Sequence, residues 1–266
     1  MTIVQRGQLK QHGEARARWQ RLLRIASPFL LLLLWEAMSR QGILDRRFFP
    51  PPSEVAVTAR QMLQDGSLAR AVGDSLRRLA IGYAGGAVLG IVAGLWLGLS
   101  SWSRALFEPW LIVTYPVPKL AIYPLLVLVV GLGEPPIVIM LAVAVFYVVA
   151  INLIAGVLAI RPVILDVGRD CGASFLQLVR TIALPAAMPH IFTGLEIAMG
   201  IAYIVLVAAE FVGARSGLGS VIWSSWQLFD VAPMYVAIVT ISVLGYASVM
   251  LLRLAATRVM PWRRKA

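Results

Sequence analysis

The sequence predicts an all-α membrane protein with about six transmembrane helices. Hydrophobic residues make up 59% of the 266 positions and charged residues only 14%. A soluble domain is about half apolar and about a quarter charged. Mean hydropathy is +0.81. Three stretches, 79–103, 135–160 and 231–252, carry no charge at all. Each is long enough to cross a ~30 Å hydrocarbon core, which takes roughly 20 helical residues. The same composition excludes a disordered chain. Cys171 is the only cysteine, so no internal disulfide forms.

The predicted spans lie near 25–43, 76–100, 107–131, 135–160, 191–211 and 233–253, between basic tails at 1–24 and 257–266. The first span carries Glu36 and Arg40, and no small-x-small cleavage site follows its leucines, so it reads as an uncleaved anchor. The third contains Lys119 with Pro116, Pro118 and Pro124; the fifth contains Glu196 and ends in Glu210. The net charge of +11 gathers in short flanks beside apolar runs. Flanking Lys and Arg set membrane orientation and bind lipid head groups; no nucleic-acid-reading motif accompanies them. With both termini cytoplasmic, fifteen Lys and Arg fall inside and eight in the outer loops.

After the first span, Pro50, Pro51 and Pro52 break the chain and Ser53 caps a short amphipathic helix over 53–64. It serves either as a docking surface for an external partner or as a lid on helix ends. In the second span Gly82, Gly86, Gly90, Gly94 and Gly98 recur every four residues, a stripe that lets another helix approach backbone to backbone.

The polar interruption between the fourth and fifth spans, 161–190, is the informative loop. Asp166 to Cys171 make a helical turn or two, with Asp166 at the N-terminal end. Gly172 provides a turn. Ser174 caps a second helix whose Phe175, Leu178, Val179 and Ile182 form an apolar stripe, and Pro185 and Pro189 stop it. The expected product is a helix–turn–helix with an exposed apolar face suited to a partner's groove.

Here the chain resembles the permease subunits of bacterial ATP-binding-cassette importers. Their cytoplasmic loop reads Glu-Ala-Ala, three residues, Gly, nine residues, Ile, any residue, Leu-Pro. Gly172 is followed by nine residues and then Ile182, Ala183, Leu184 and Pro185 without a gap. Asp166, Val167 and Gly168 stand in place of Glu-Ala-Ala. Asp166 keeps the charge, whereas glycine at 168 weakens a helix by roughly 1 kcal/mol relative to Ala. "FFPPPSEV", "YPVPKLAIYPLLVLVVGLGE", "LPAAMPHIFTGLEIAMG" and "AAEFVGARSGLG" look like the nitrate/sulfonate/taurine branch. Glu196 and Ser248 depart from it, where a basic and an acidic residue are common.

The resemblance implies a type I ABC importer permease fold in a bacterial inner membrane. It implies two copies of the chain, two ATPase subunits that bind ATP and Mg, and an external binding protein that delivers a small, anionic solute. It implies that Asp166, Gly168, Gly172, Ala173, Ile182, Leu184 and Pro185 form the ATPase-coupling loop. No cofactor is expected in this chain. None of its lysines, Lys10, Lys119 and Lys265, follows a GxxxxG phosphate cradle. Catalytic and metal constellations are absent from the sequence; His190 has no second ligand at suitable spacing. The alternatives are a secondary carrier or channel that does not use ATP, though no inverted repeat is visible, and a membrane-anchored enzyme subunit.

Two intramembrane charges carry competing readings. Lys119 either lines the translocation pathway, where it favours anions, or snorkels to the interface or pairs with Glu108 or Glu196. Glu210 either gates the outer mouth, pairs with Arg215, or acts as a structural cap.

Overall fold

The structure, a computed structural model, describes Leu23 and residues 26–261. All regular elements among these residues are helical. The described part of the first helix, α1, covers 26–40. Then come α2 (Pro52–Gln64), α3 (Ser67–Leu99), α4 (Ser101–Thr114), a 3₁₀ turn (Lys119–Ile122) and α5 (Tyr123–Val130). After α6 (Glu134–Leu158) and α7 (Pro162–Asp170), α8 (Phe175–Gln177) passes through a π turn (Leu178–Ala183) into α9 (Leu184–Gly213). The fold closes with α10 (Leu218–Gln227) and α11 (Val231–Val259).

The centre of the bundle is the contact of α3 with α6. A Cβ built on Gly82 would lie 2.7 Å from the Leu141 Cβ, on Gly90 2.9 Å from Val149, on Gly94 2.7 Å from Leu153 and on Gly98 2.6 Å from Val157. Gly86 sits in the same way on Ala142 and Val145. The five glycines and their five partners advance together, four residues at a time, so α3 and α6 run parallel. Sixteen residues of helix rise about 24 Å, so this contact extends through most of a bilayer.

Parallel packing has a topological consequence. The chain leaves α3 at Leu99 and must return to the opposite end before α6 begins at Glu134. The stretch between them is the predicted third span, and it is broken. Pro116 and Pro118 end α4, and α4 and the Lys119–Val130 segment meet at 93°. Together they carry the chain back.

The fifth element runs antiparallel to α6. Gly156 faces His190, and Gly194 faces Asn152. The prolines do not stop the helix before it, as the sequence predicts. Pro185 enters at the first turn of α9, Pro189 sits inside it, and the π turn takes up the distortion. Four helices among the described residues are long and apolar enough to cross a membrane: α3, α6, α8–α9 and α11. The bent pair would make a fifth. The predicted first span lies partly outside the described residues.

The helix that carries the predicted second span begins ahead of it, at Ser67. Asp65 accepts the Ser67 N–H at 2.8 Å and starts α3 there, so Arg70, Asp74, Arg77 and Arg78 ride on the same helix. Ser53 is not the cap of α2. That helix opens at Pro52, and Glu36 of α1 instead accepts the Ser53 N–H and Oγ–H, at 3.0 and 2.7 Å. Val55 of α2 is buried with Leu68, Leu218 and Val236, so the helix covers the ends of α3, α10 and α11.

Replacing Gly90 with Leu drives a side chain into the Val149 and Phe146 backbone contact. The expected loss is about 1–3 kcal/mol or more, read as a lowered midpoint of thermal unfolding in detergent. Gly85, on the open face of α3 with nothing within 4 Å, accepts Leu with no such loss. Equal effects at the two positions would disprove the packing role.

Candidate functional site

Two regions carry polar structure beyond what a helical bundle needs. The first is the loop at the end where α6 finishes. Pro162 opens α7, four residues ahead of the predicted start at Asp166. Its end is a Schellman turn. Gly172 adopts φ +75°, its N–H donates to the Arg169 carbonyl at 2.9 Å, and the Ala173 N–H donates to the Gly168 carbonyl at 3.1 Å. Ser174 then caps α8. The Ser174 N–H donates to Gln177 Oε1 at 2.7 Å, and Ser174 Oγ accepts the Gln177 N–H at 3.4 Å. Two consecutive caps make the corner a defined shape.

Three of the four residues in the apolar face the sequence predicts for this corner turn inward. Leu178 is buried, and Val179 and Ile182 are half-buried. Gly168 explains this: a Cβ there would lie 2.7 Å from both Leu178 Cδ2 and Ile182 Cδ1. The glycine lets α7 lie on the π turn. Ala183 is fully buried, Leu184 is half-buried and Pro185 is exposed. What faces outward is Val163, Ile164 and Val167 of α7, with Leu176 and, from the predicted stripe, Phe175, each about half exposed. Their i, i+1, i+4 spacing on α7 was the legible signal. Asp166 is exposed beside them and pairs with Arg169 at 2.9 Å.

The second region lies at the opposite end. Parallel α3 and α6 and antiparallel α9 bring Arg78, Glu134 and Glu210 together. Arg78 is almost wholly buried. Its guanidinium donates to Glu210 Oε1 at 2.7 Å, to Glu134 Oε1 at 2.7 Å and to the Ser216 carbonyl at 2.6 Å. Glu210 also accepts the Ser75 hydroxyl at 2.8 Å and the Gly219 N–H at 2.7 Å. Ser75 Oγ in turn accepts the Leu218 N–H at 2.8 Å. Glu210 therefore caps α10 and pairs with Arg78, not with Arg215. Arg78 borders the charge-free run and reads in the sequence as its edge; only the neighbouring helices reveal it as buried.

Lys119 pairs with neither Glu108 nor Glu196. Its Nζ donates to the carbonyls of Thr114, Tyr115 and Val117 at 3.2, 2.8 and 3.0 Å, and lies 4.4 Å from the Tyr147 ring centroid. It holds the C-terminal end of α4, where a cation is favoured. Glu196 instead bonds Arg253 of α11 at 2.9 Å, and Tyr203 meets Ser248 at 3.0 Å.

A bundle of long apolar helices with an apolar-tipped corner at one end has the architecture of an integral-membrane protein. The chain belongs to the binding-protein-dependent transport system inner membrane components, whose pattern matches residues 86–261. It is 30% identical to the taurine transport system permease protein TauC of Escherichia coli over 92% of each chain. It is 28% identical to the putative aliphatic sulfonates transport permease protein SsuC of Bacillus subtilis, over 96% of this chain and 91% of that one. It is 30% identical to the nitrate import permease protein NrtB of Leptolyngbya laminosa, over 72% and 68%. Its fold resembles that of the MetNI methionine ABC transporter in an inward-facing conformation, with TM-score 0.63 and 20% identity over 74% of this chain and 96% of that one. A bacterial alginate ABC transporter solved with its alginate-bound periplasmic protein matches with TM-score 0.57 and 14% identity, over 97% and 95%. The chain is thus a permease subunit of an ABC importer, a multi-pass inner-membrane protein and a pathway component, not an enzyme. The family works with ATPase and substrate-binding partners. An ATP-independent carrier is set aside.

Glu210→Leu leaves the buried Arg78 without its one buried carboxylate partner, and breaking such a pair costs about 3–5 kcal/mol. Arg78→Met with Glu210→Leu is expected to recover much of that loss, because no buried charge remains uncompensated; Glu134, which also loses its partner, is 44% exposed. Unfolding of the two singles and the double in detergent checks this; strictly additive losses would refute the coupling.

Proposed function

We propose that two copies of this chain form the pathway of an importer for a small oxyanion-bearing solute, with two ATPase subunits docked on the α7–α8 corners. The observation that carries the reading is the corner itself. Val163, Ile164, Val167, Phe175 and Leu176 are held half-exposed by the Schellman turn at Gly172 and the capping box at Ser174. A rigid apolar projection of this kind gains by entering a groove. Asp166 lies at its edge for a polar contact, while Gly168, Ile182 and Leu184 form the packing beneath it. The corner, with both termini, faces the cytoplasm, and the chain crosses the membrane six times with 25–43 as the first span. The solute class follows from the relatives named for taurine, aliphatic sulfonates and nitrate. An external binding protein does the first selecting, and ATP and Mg belong to the ATPase partner.

The test is copurification from the native host in mild detergent, followed by uptake in vesicles. The ATPase subunit is expected to accompany the wild-type chain. Val167→Asp, which charges the tip, and Gly172→Val, which places a branched side chain at φ +75°, are expected to lose it. Uptake by vesicles that lack the ATPase would overturn the proposal.

A further inference from the structure

At the end opposite the corner, a cavity of about 430 Å³ opens between the start of α3 and α10. Arg70 and Asp74 of α3 line it from one side, and Arg215, Ser216 and Ser220 from the other, with Trp223 among its walls. Two arginines and one aspartate thus line it, and Arg70 Nε also donates to the Gly66 carbonyl at 3.3 Å. The other acids of the neighbourhood are already engaged, since Glu210 and Glu134 both bind Arg78. Arg215 stands exposed next to this cluster and makes no ion pair among the described residues. The backbone adds a donor. At the start of α10, the N–H of Leu218 goes to Ser75 and that of Gly219 to Glu210, whereas the N–H of Ser220 meets no acceptor among the described residues. Trp223 packs at a tilt against Trp226, at 4.9 Å between ring centroids, and Phe211, at 5.8 Å. It is a fixed apolar wall beside the positive charge.

We propose that this cavity is an oxyanion-binding site of the permease itself. Arg70 and Arg215 hold the head group of a small sulfonate, and Trp223 packs against its short carbon chain. Planar guanidinium forks suit an oxyanion because each offers two parallel N–H donors. The site rests on the reading of the chain as an oxyanion importer and goes further, giving the solute a station outside the binding protein. Arg78 is no part of the recognition; its pairing with both glutamates is what leaves Arg215 available.

The experiment is calorimetric titration of the purified complex of permease and ATPase with methanesulfonate, without nucleotide or binding protein. The wild type is expected to bind saturably. Arg215→Gln and Arg70→Gln each weaken binding by about tenfold or more, the usual loss for a charge-assisted hydrogen bond. Arg46→Gln, which alters an exposed pair with Glu54 on another surface, leaves it unchanged. No saturable binding, or equal binding by Arg215→Gln, overturns the proposal. So does an Arg215-dependent uptake of phosphatidylglycerol without any of methanesulfonate, which makes the cavity a lipid site. ATP-driven uptake of taurine by vesicles, measured in parallel, separates the two readings. Uptake without methanesulfonate binding sinks this site alone, and binding without uptake sinks taurine as the transported solute while supporting the site.

Discussion

The close approach of α3 to α6 is the constraint from which the rest of the structure follows. Lipid tails are as apolar as leucine, so apolar side chains gain little by leaving them for one another. Association in a bilayer rests on van der Waals packing and on polar contacts. Five glycines remove five side chains from one face of α3, and Leu141, Val145, Val149, Leu153 and Val157 fill the space. A contact of that length has one register. It sets the two helices parallel, and the parallel arrangement forces residues 101–130 to return across the bundle.

The return is where the chain gives up regular structure. Three prolines interrupt the stretch, and the bend leaves the carbonyls at the end of α4 without helical partners. Lys119 donates to the carbonyls of Thr114 and Tyr115 at that end and of Val117 in the turn after it. An ammonium that is costly in hydrocarbon becomes tolerable because the helix end it satisfies would be costly too. Charge and break belong to one solution.

The same register places the buried charges. Arg78 precedes the glycine stripe by one helical turn, and Glu134 begins the helix that packs on it. Glu210 reaches them because α9 runs the other way along α6. The cluster ties α3, α6, α9 and α10 together at one end of the bundle, while the capped corner projects at the other. The π turn joins the corner to α9 without a loop.

Composition and periodicity decided that the chain is a helical membrane protein, because crossing a bilayer demands long apolar helices whatever their neighbours. The glycine spacing announced a close helix contact, since only side-chain size matters there. The turn at Gly172 and the cap at Ser174 were legible because caps are local. What the sequence did not decide is which face looks outward and which charges meet. The stripe of Phe175, Leu178, Val179 and Ile182 has the periodicity of an exposed knob, yet α7 folds through Gly168 onto Leu178 and Ile182 and leaves only Phe175 outward. Glu210 has Arg215 five residues away, yet it bonds Arg78, far off in the chain. Only tertiary structure settles such matters, because burial and ion pairing depend on helix direction and register, and these are set by packing between segments remote in sequence.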